Sequence, residues 1–201
     1  MTVMKKLNKL VLATQNPHKV KEIQGWFSPF GIEVLILSEF CSCMPPETGA
    51  TFAENAYFKG RFGFEQSGLP TLADDSGLEV QALGGAPGVW SARYAGEGAT
   101  AADNNRKLLT ELENVTGRDA RFRCAMALVL GDLTIQAEGI VEGSILLTPR
   151  GNGGFGYDHL FWLPEQQKSM AELMPQDKNC ISSRALALAS LLAKLRAGGL
   201  V

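Results

Sequence analysis

The sequence predicts an α/β fold built on a mixed β-sheet. The first third of the chain reads β-α-β, the pattern of parallel pairing, whereas residues 121–163 read as a run of strands joined by short turns, which pair antiparallel. Helical periodicity flanks that run on both sides.

The elements follow in order. Leu10-Val-Leu-Ala-Thr14 is a short apolar run, as expected of a buried first strand. A turn at Asn16-Pro17 precedes a helix with Val20, Ile23, Trp26 and Phe27 on one face, stopped at Phe30-Gly31. Glu33 to Leu37 reads as a second strand, and residues 38–50, rich in Ser, Cys, Pro and Gly, as a loop. Thr51-Phe-Ala-Glu54 predicts a capping box in which Thr51 and Glu54 satisfy each other's N–H groups. The helix it opens runs to about Phe64, with Phe52, Ala56 and Gly60 at a spacing of four. After Gly68 and Pro70 comes a strand that ends in Asp74-Asp75, followed by an expected tight turn at Ser76-Gly77. Thr100-Ala-Ala-Asp103 caps a helix carrying Leu108, Leu109 and Leu112. Arg121 to Leu130 alternates, with Phe122, Cys124, Met126, Leu128 and Leu130 on one face. Leu133–Val141, Ser144–Leu147 and His159–Leu163 read as further strands, the last stopped by Pro164. Ile181, Ala185, Leu188, Leu192 and Leu195 define a final helix ended by Gly198-Gly199. With no repeat, low-complexity tract or linker, residues 1–201 are expected to form a single domain.

Composition excludes several classes of partner. Nineteen Lys and Arg against 21 Asp and Glu leave a formal charge of −2, so no basic field points to nucleic acid. No apolar run approaches the ~20 residues of a membrane helix. The N-terminal apolar run, Leu10 to Ala13, is too short for a signal peptide, so a cytoplasmic location is expected. Cys41, Cys43, Cys124 and Cys180 lack the spacing of a zinc knuckle and are expected to be free thiols.

Five places could carry chemistry. Asp74 and Asp75 should point to opposite sides of their strand, so that one faces a site while the other braces the backbone. Such a pair suits a divalent metal, although an Asx-turn would also explain it. Thr14-Gln-Asn-Pro-His-Lys19 joins a strand to a helix and offers N–H groups and Lys19 to a phosphate, or is simply a capped helix with a solvated lysine. Gly151-Asn-Gly-Gly-Phe-Gly156 matches the spacing of a dinucleotide fingerprint but precedes a strand, so that reading fails. Phe155, Tyr157 and Asp158 suit a flat base better, the alternative being a hairpin loop with its aromatics in the core. Lys178 and Arg184, at the entry to the last helix, could reach a polyphosphate or form a solvated face. Glu47, a loop acid, could join Asp75 on a cation.

Assembled, these segments resemble the inosine/xanthosine triphosphate pyrophosphatases, the non-standard purine NTP pyrophosphatases or Ham1-like proteins. The similar stretches are Leu12–Lys19, Glu47–Ala56, Ala73–Leu78, Leu83–Gly96 and Gly153–Asp158, then Glu172, Lys178 and Ser182-Ser183-Arg184. The resemblance implies a long mixed sheet with flanking helices forming two lobes around a central cleft. It implies a Mg²⁺-dependent homodimer that cleaves the α–β phosphoanhydride of ITP, dITP and XTP. By the same resemblance Thr14, Gln15, Asn16, Pro17, His18 and Lys19 hold the triphosphate. Asp75 is the acid/base and a metal ligand, with Glu47 a second ligand and Asp74 a brace. Ser76 contacts substrate, while Phe155, Gly156, Tyr157 and Asp158 clamp base and sugar, and Lys178 and Arg184 bind base or phosphates. Two positions depart from the family pattern: Ser183 stands where a histidine is usual and His159 where a proline is. Both fall at the expected base pocket, so a nucleotide sensor without turnover, or a pyrophosphatase of altered base preference, are the alternative readings.

Overall fold

The computed structural model describes residues 6–201, apart from the side chain of His18, which with residues 1–5 lies outside the described residues. The elements are β1 (Lys9–Leu12), α1 (Pro17–Phe27), β2 (Glu33–Ile36), α2 (Phe52–Ser67), β3 (Thr71–Val80), α3 (Ala101–Glu111), β4 (Asp119–Leu130), β5 (Leu133–Ile145), β6 (Phe161–Leu163), β7 (Lys168–Ser169), α4 (Pro175–Ile181) and α5 (Ser183–Ala197), with short 3₁₀ turns between several of them.

The strands form one sheet in the order β2-β1-β3-β4-β5-β6-β7. β1 runs parallel to β2, with Leu10 beside Val34, and to β3, with Leu12 beside Leu72. β6 runs antiparallel to β5 and to β7. The sheet is therefore mixed, as the sequence predicts.

The chain forms two compact units. The first comprises residues up to Asp75, Cys124–Gly139 and Leu186–Val201; the second comprises Ser76–Arg123 and Ile140–Ala185. In the first, the buried face of α1 (Ile23, Phe27) and the leucines of α5 (Leu188, Leu191, Leu192, Leu195) cover Leu10, Leu12, Met126 and Leu128 of the strands. Burying each such side chain contributes roughly 1.5–3 kcal/mol. In the second, Leu108 and Leu112 pack with Leu78, Val80, Leu160, Phe161 and Leu163.

Helix α2 approaches the sheet closely because its inner face is small. A Cβ on Gly63 would lie 2.7 Å from Thr71 Cγ2, and one on Gly60 would lie 3.1 Å from Val129 Cγ2. The same face carries Asn55 and Lys59, both buried. Thr51 caps the helix, its hydroxyl accepting the Glu54 N–H at 3.2 Å. The expected reciprocal half differs: the Glu54 carboxylate accepts the Ala50 N–H, at 2.7 Å, one residue before Thr51. The Thr100 box on α3 forms as expected, with Asp103 accepting the Thr100 N–H at 3.0 Å.

Three boundaries differ from expectation. β5 runs unbroken from Leu133 to Ile145, where two strands separated near Gly143 are expected. Gly143 marks close contact instead of a turn, since a Cβ there would fall against the Trp162 carbonyl and the Phe161 ring on β6. Gly143→Ala is expected to cost about 3 kcal/mol by overpacking, read as a shifted denaturant midpoint. The final helix is two: Ile181 ends α4, and Ser182, extended at ψ 154°, separates it from α5. β3, finally, does not stop at the acid pair.

Candidate active site

β3 lies between β1 and β4 and is buried along nearly its whole length. Ser76 and Gly77 are therefore strand residues and not the expected tight turn: β3 runs on to Val80 as the neighbour of β4, although its pairing with β1 ends at Leu72. Asp74 and Asp75 sit mid-strand, and their side chains meet different partners, as alternation requires. Asp74 accepts Lys19 Nζ from α1 at 2.9 Å and lies near the buried Cys124 thiol, at 3.8 Å. Asp75 faces α2, accepting Lys59 Nζ at 3.0 Å through Oδ1 and Asn55 Nδ2 at 3.0 Å through Oδ2.

Lys59 also donates to Glu47 Oε1 at 2.7 Å, so one ammonium bridges two carboxylates. Asn55 supports both acids: its Oδ1 accepts the Gly49 N–H at 2.8 Å, holding the loop that carries Glu47. Burial pushes the Asp75 carboxyl above the ordinary aspartate value; Lys59 opposes the rise and Glu47 adds to it. Burial also opposes the Lys59 charge, but Asp75, Asp74 and Glu47 outweigh it and hold the ammonium above the ordinary lysine value.

In the preceding turn, Thr14 Oγ1 accepts the Asn16 N–H at 3.1 Å and α1 opens at Pro17. Gln15 and Pro17 are exposed. The first unit thus brings Glu47, Asp74, Asp75 and Lys19 into one ionic cluster with Asn55 and Lys59. Among the described residues no three His, Cys, Asp or Glu side chains form a ready metal cage. Glu47 and Asp75 nonetheless aim oxygens at a single cation. That donor set fits Mg²⁺, which is commonly held by one or two carboxylates plus phosphate oxygens and water.

The second unit holds the aromatic loop. Asp158 Oδ2 accepts both the Phe155 N–H at 2.7 Å and Lys178 Nζ from α4 at 2.6 Å, and the Lys178 ammonium lies 4.4 Å from the Phe155 ring centre. Tyr157 is buried, its hydroxyl donating to the Ser91 carbonyl at 2.8 Å. Ser91 Oγ in turn accepts the Leu78 N–H at 2.9 Å, so this 3₁₀ segment ties the aromatic loop to the end of β3. Asn105 of α3 fixes Gly156 by donating to its carbonyl at 3.1 Å. Arg184 donates to Ser76 Oγ at 3.3 Å, and Ser183, buried beside it, opens α5.

The Ham1 family model matches residues 10–194 of the sequence. The chain belongs to the Ham1 family. It is 48% identical over 190 residues to a Vibrio cholerae protein named dITP/XTP pyrophosphatase, covering 92% of this chain and 95% of that one. A Thermus thermophilus protein of the same name is 49% identical over 193 residues, covering 94% and 93%. Among solved structures, the HAM1 protein from Coxiella burnetii superimposes with a TM-score of 0.90 at 43% identity, covering 95% of this chain and all (100%) of that one. The Staphylococcus aureus Ham1 protein gives 0.87 at 38%, covering 94% and 98%.

Two polar residues at the centre of the first unit's ionic cluster, Asn55 and Lys59, are absent from the sequence-based candidates. Their signal was present. They stand four apart on α2 beside Ala56 and Gly60, so the face that periodicity marks as buried carries an amide and a lysine. A lysine in an apolar stripe needs a buried anion, and the adjacent strand supplies two.

Proposed function

We propose that the chain hydrolyses the α–β phosphoanhydride of ITP, dITP and XTP to the monophosphate and pyrophosphate, with Mg²⁺, and so removes non-standard purines from the nucleotide pool. The observation that carries this is the Glu47–Lys59–Asp75 cluster, with Lys59 and Asp75 buried, in a chain of which more than nine-tenths matches relatives named dITP/XTP pyrophosphatase.

Asp75 is the base in this reading. Burial raises its pKa, toward the range useful for taking a proton. It removes a proton from water as the oxygen attacks the α-phosphorus; the bond from that phosphorus to the bridging oxygen breaks, and pyrophosphate departs with the electron pair. Lys19 and the turn from Thr14 to Lys19 hold the phosphate chain and offset charge on the departing group, with Lys178 contributing. Glu47 and Asp75 would hold Mg²⁺, which when bound offsets phosphate charge as a Lewis acid. Asp74, neutralised by Lys19, braces the strand. Phe155, Gly156, Tyr157, Asp158, Ser183 and Arg184 take the base and sugar. Tyr157 acts from within the core, by fixing the loop that presents Phe155, and Ser76 contacts substrate beside Arg184.

On the family resemblance the protein acts as a single functional domain and a cytoplasmic homodimer. Among the described residues no helix is long and apolar enough to cross a membrane. Pyrophosphate release across a panel of nucleoside triphosphates tests the activity: turnover of ITP, dITP and XTP well above that of ATP and GTP supports the reading, and tight binding without turnover defeats it.

Base preference turns on Ser183. A serine hydroxyl reaches less far than an imidazole, so one base contact is weaker here than is usual for the family. Ser183→His is expected to raise selectivity for ITP over GTP roughly fivefold, the worth of about one hydrogen bond, measured as a ratio of kcat/KM values.

A further inference from the structure

We propose that Lys59 is a built-in counter-cation that keeps free divalent metal out of the Glu47–Asp75 pair until a nucleotide arrives. The proposal rests on the metal-assisted reading above. It concerns the order in which cations occupy the site.

The two carboxylates are held ready independently of any metal. Asn55, almost fully buried, ties Asp75 Oδ2 to the Gly49 N–H two residues beyond Glu47. Between the acids stands the Lys59 ammonium, 2.7 Å from Glu47 Oε1 and 3.0 Å from Asp75 Oδ1. A hard cation held by these two acids would need the same carboxylates, so metal and ammonium would compete for them. Next to it Lys19 neutralises Asp74 at 2.9 Å. The three carboxylates and two ammonium groups thus leave one net negative charge, a weak attraction for a strongly hydrated dication.

A polyphosphate changes this balance. It carries its own metal and offers Lys59 an alternative anion. The Lys59 ammonium could then move to phosphate oxygens, leaving Glu47 and Asp75 to hold the cation, so that each charge would keep a partner. Lys59 on this account positions the metal–nucleotide complex by exchange, and metal entry depends on substrate.

The test is divalent-metal binding to the nucleotide-free protein. Mn²⁺ is titrated as a paramagnetic probe, and Mg²⁺ binding is followed by the shift in melting temperature. The unmodified protein is expected to show no Mg²⁺-dependent rise in Tm. Lys59→Met should bind Mn²⁺ about tenfold more tightly or better and gain a Mg²⁺-dependent rise in Tm, which Lys59→Met with Asp75→Asn should lose again. Lys59→Gln, which keeps a polar head without the charge, substitutes if the methionine variant does not fold. Equal metal affinity in the unmodified protein and the lysine variants overturns the proposal. So, without any variant, does tight Mn²⁺ binding by the unmodified, nucleotide-free protein. Failure of the magnesium reading itself is seen separately, as turnover that EDTA leaves unchanged.

Discussion

Asp75→Asn is expected to reduce pyrophosphate release about 10³- to 10⁴-fold while the protein stays folded. The substitution is nearly isosteric, and the amide oxygen can still accept from Asn55. The negative charge and the proton acceptor are what it removes. Lys59 keeps Glu47 at 2.7 Å, so no bare ammonium is left in the interior. Because the folded-state pKa of Asp75 is raised, charging it opposes folding at neutral pH, and its stabilising contribution is confined to acid solution. Loss of that charge should therefore leave the melting temperature near the parent value. Lys59 behaves oppositely: its pKa is raised, so its contribution is full below the ordinary lysine value and fades only as alkaline pH passes the folded one. The same Asp75 shift predicts that the acid limb of kcat/KM lies above the ordinary aspartate pKa of about 3.9. An asparagine variant retaining a tenth or more of the activity would remove Asp75 from the role of base.

Lys178→Met should produce the largest loss of stability at a site residue. Its ammonium is hydrogen-bonded at 2.6 Å to Asp158, which is 4% exposed. Removing it leaves a buried carboxylate that still accepts the Phe155 N–H but has lost its paired charge, at a cost of about 3 kcal/mol. Phe155 also loses the cation 4.4 Å from its ring centre. The loop then relaxes, so KM for ITP should rise more than kcat falls. The double variant Lys178→Met, Asp158→Asn should recover most of the stability but not the KM, since the paired charge is gone and the lysine contact to nucleotide with it. Denaturant unfolding of the two singles and the double gives the coupling directly.

Much of this was legible from local pattern. Runs of apolar residues at period two or four located most strands and every helix but the short α4, because the cores are filled from one face of each element. Where the sequence misled, a tertiary neighbour decided. Gly143 looks like a turn residue but provides room for the Trp162 carbonyl. Ser76-Gly77 looks like a turn but is held extended inside the sheet. The Glu54 carboxylate reaches Ala50 and not Thr51, a choice of adjacent N–H groups that residue spacing does not distinguish. In the site, the acids and Lys19 were readable as charges needing partners, and the resemblance to a known family supplied their expected roles. Lys59 and Asn55 were hidden because a helix read for its apolar stripe conceals the polar residues within it.

The mid-strand position of the carboxylates has a dynamic consequence. Amides of a buried central strand open to solvent only in rare, near-global unfolding, so residues 73–76 should be among the slowest to exchange hydrogen with deuterium. Ligand binding can gain little order there. The entropic cost of forming a complex then falls on the flexible phosphate chain and on the exposed glycines at 151–154, and those glycines should show the change in exchange when nucleotide is added.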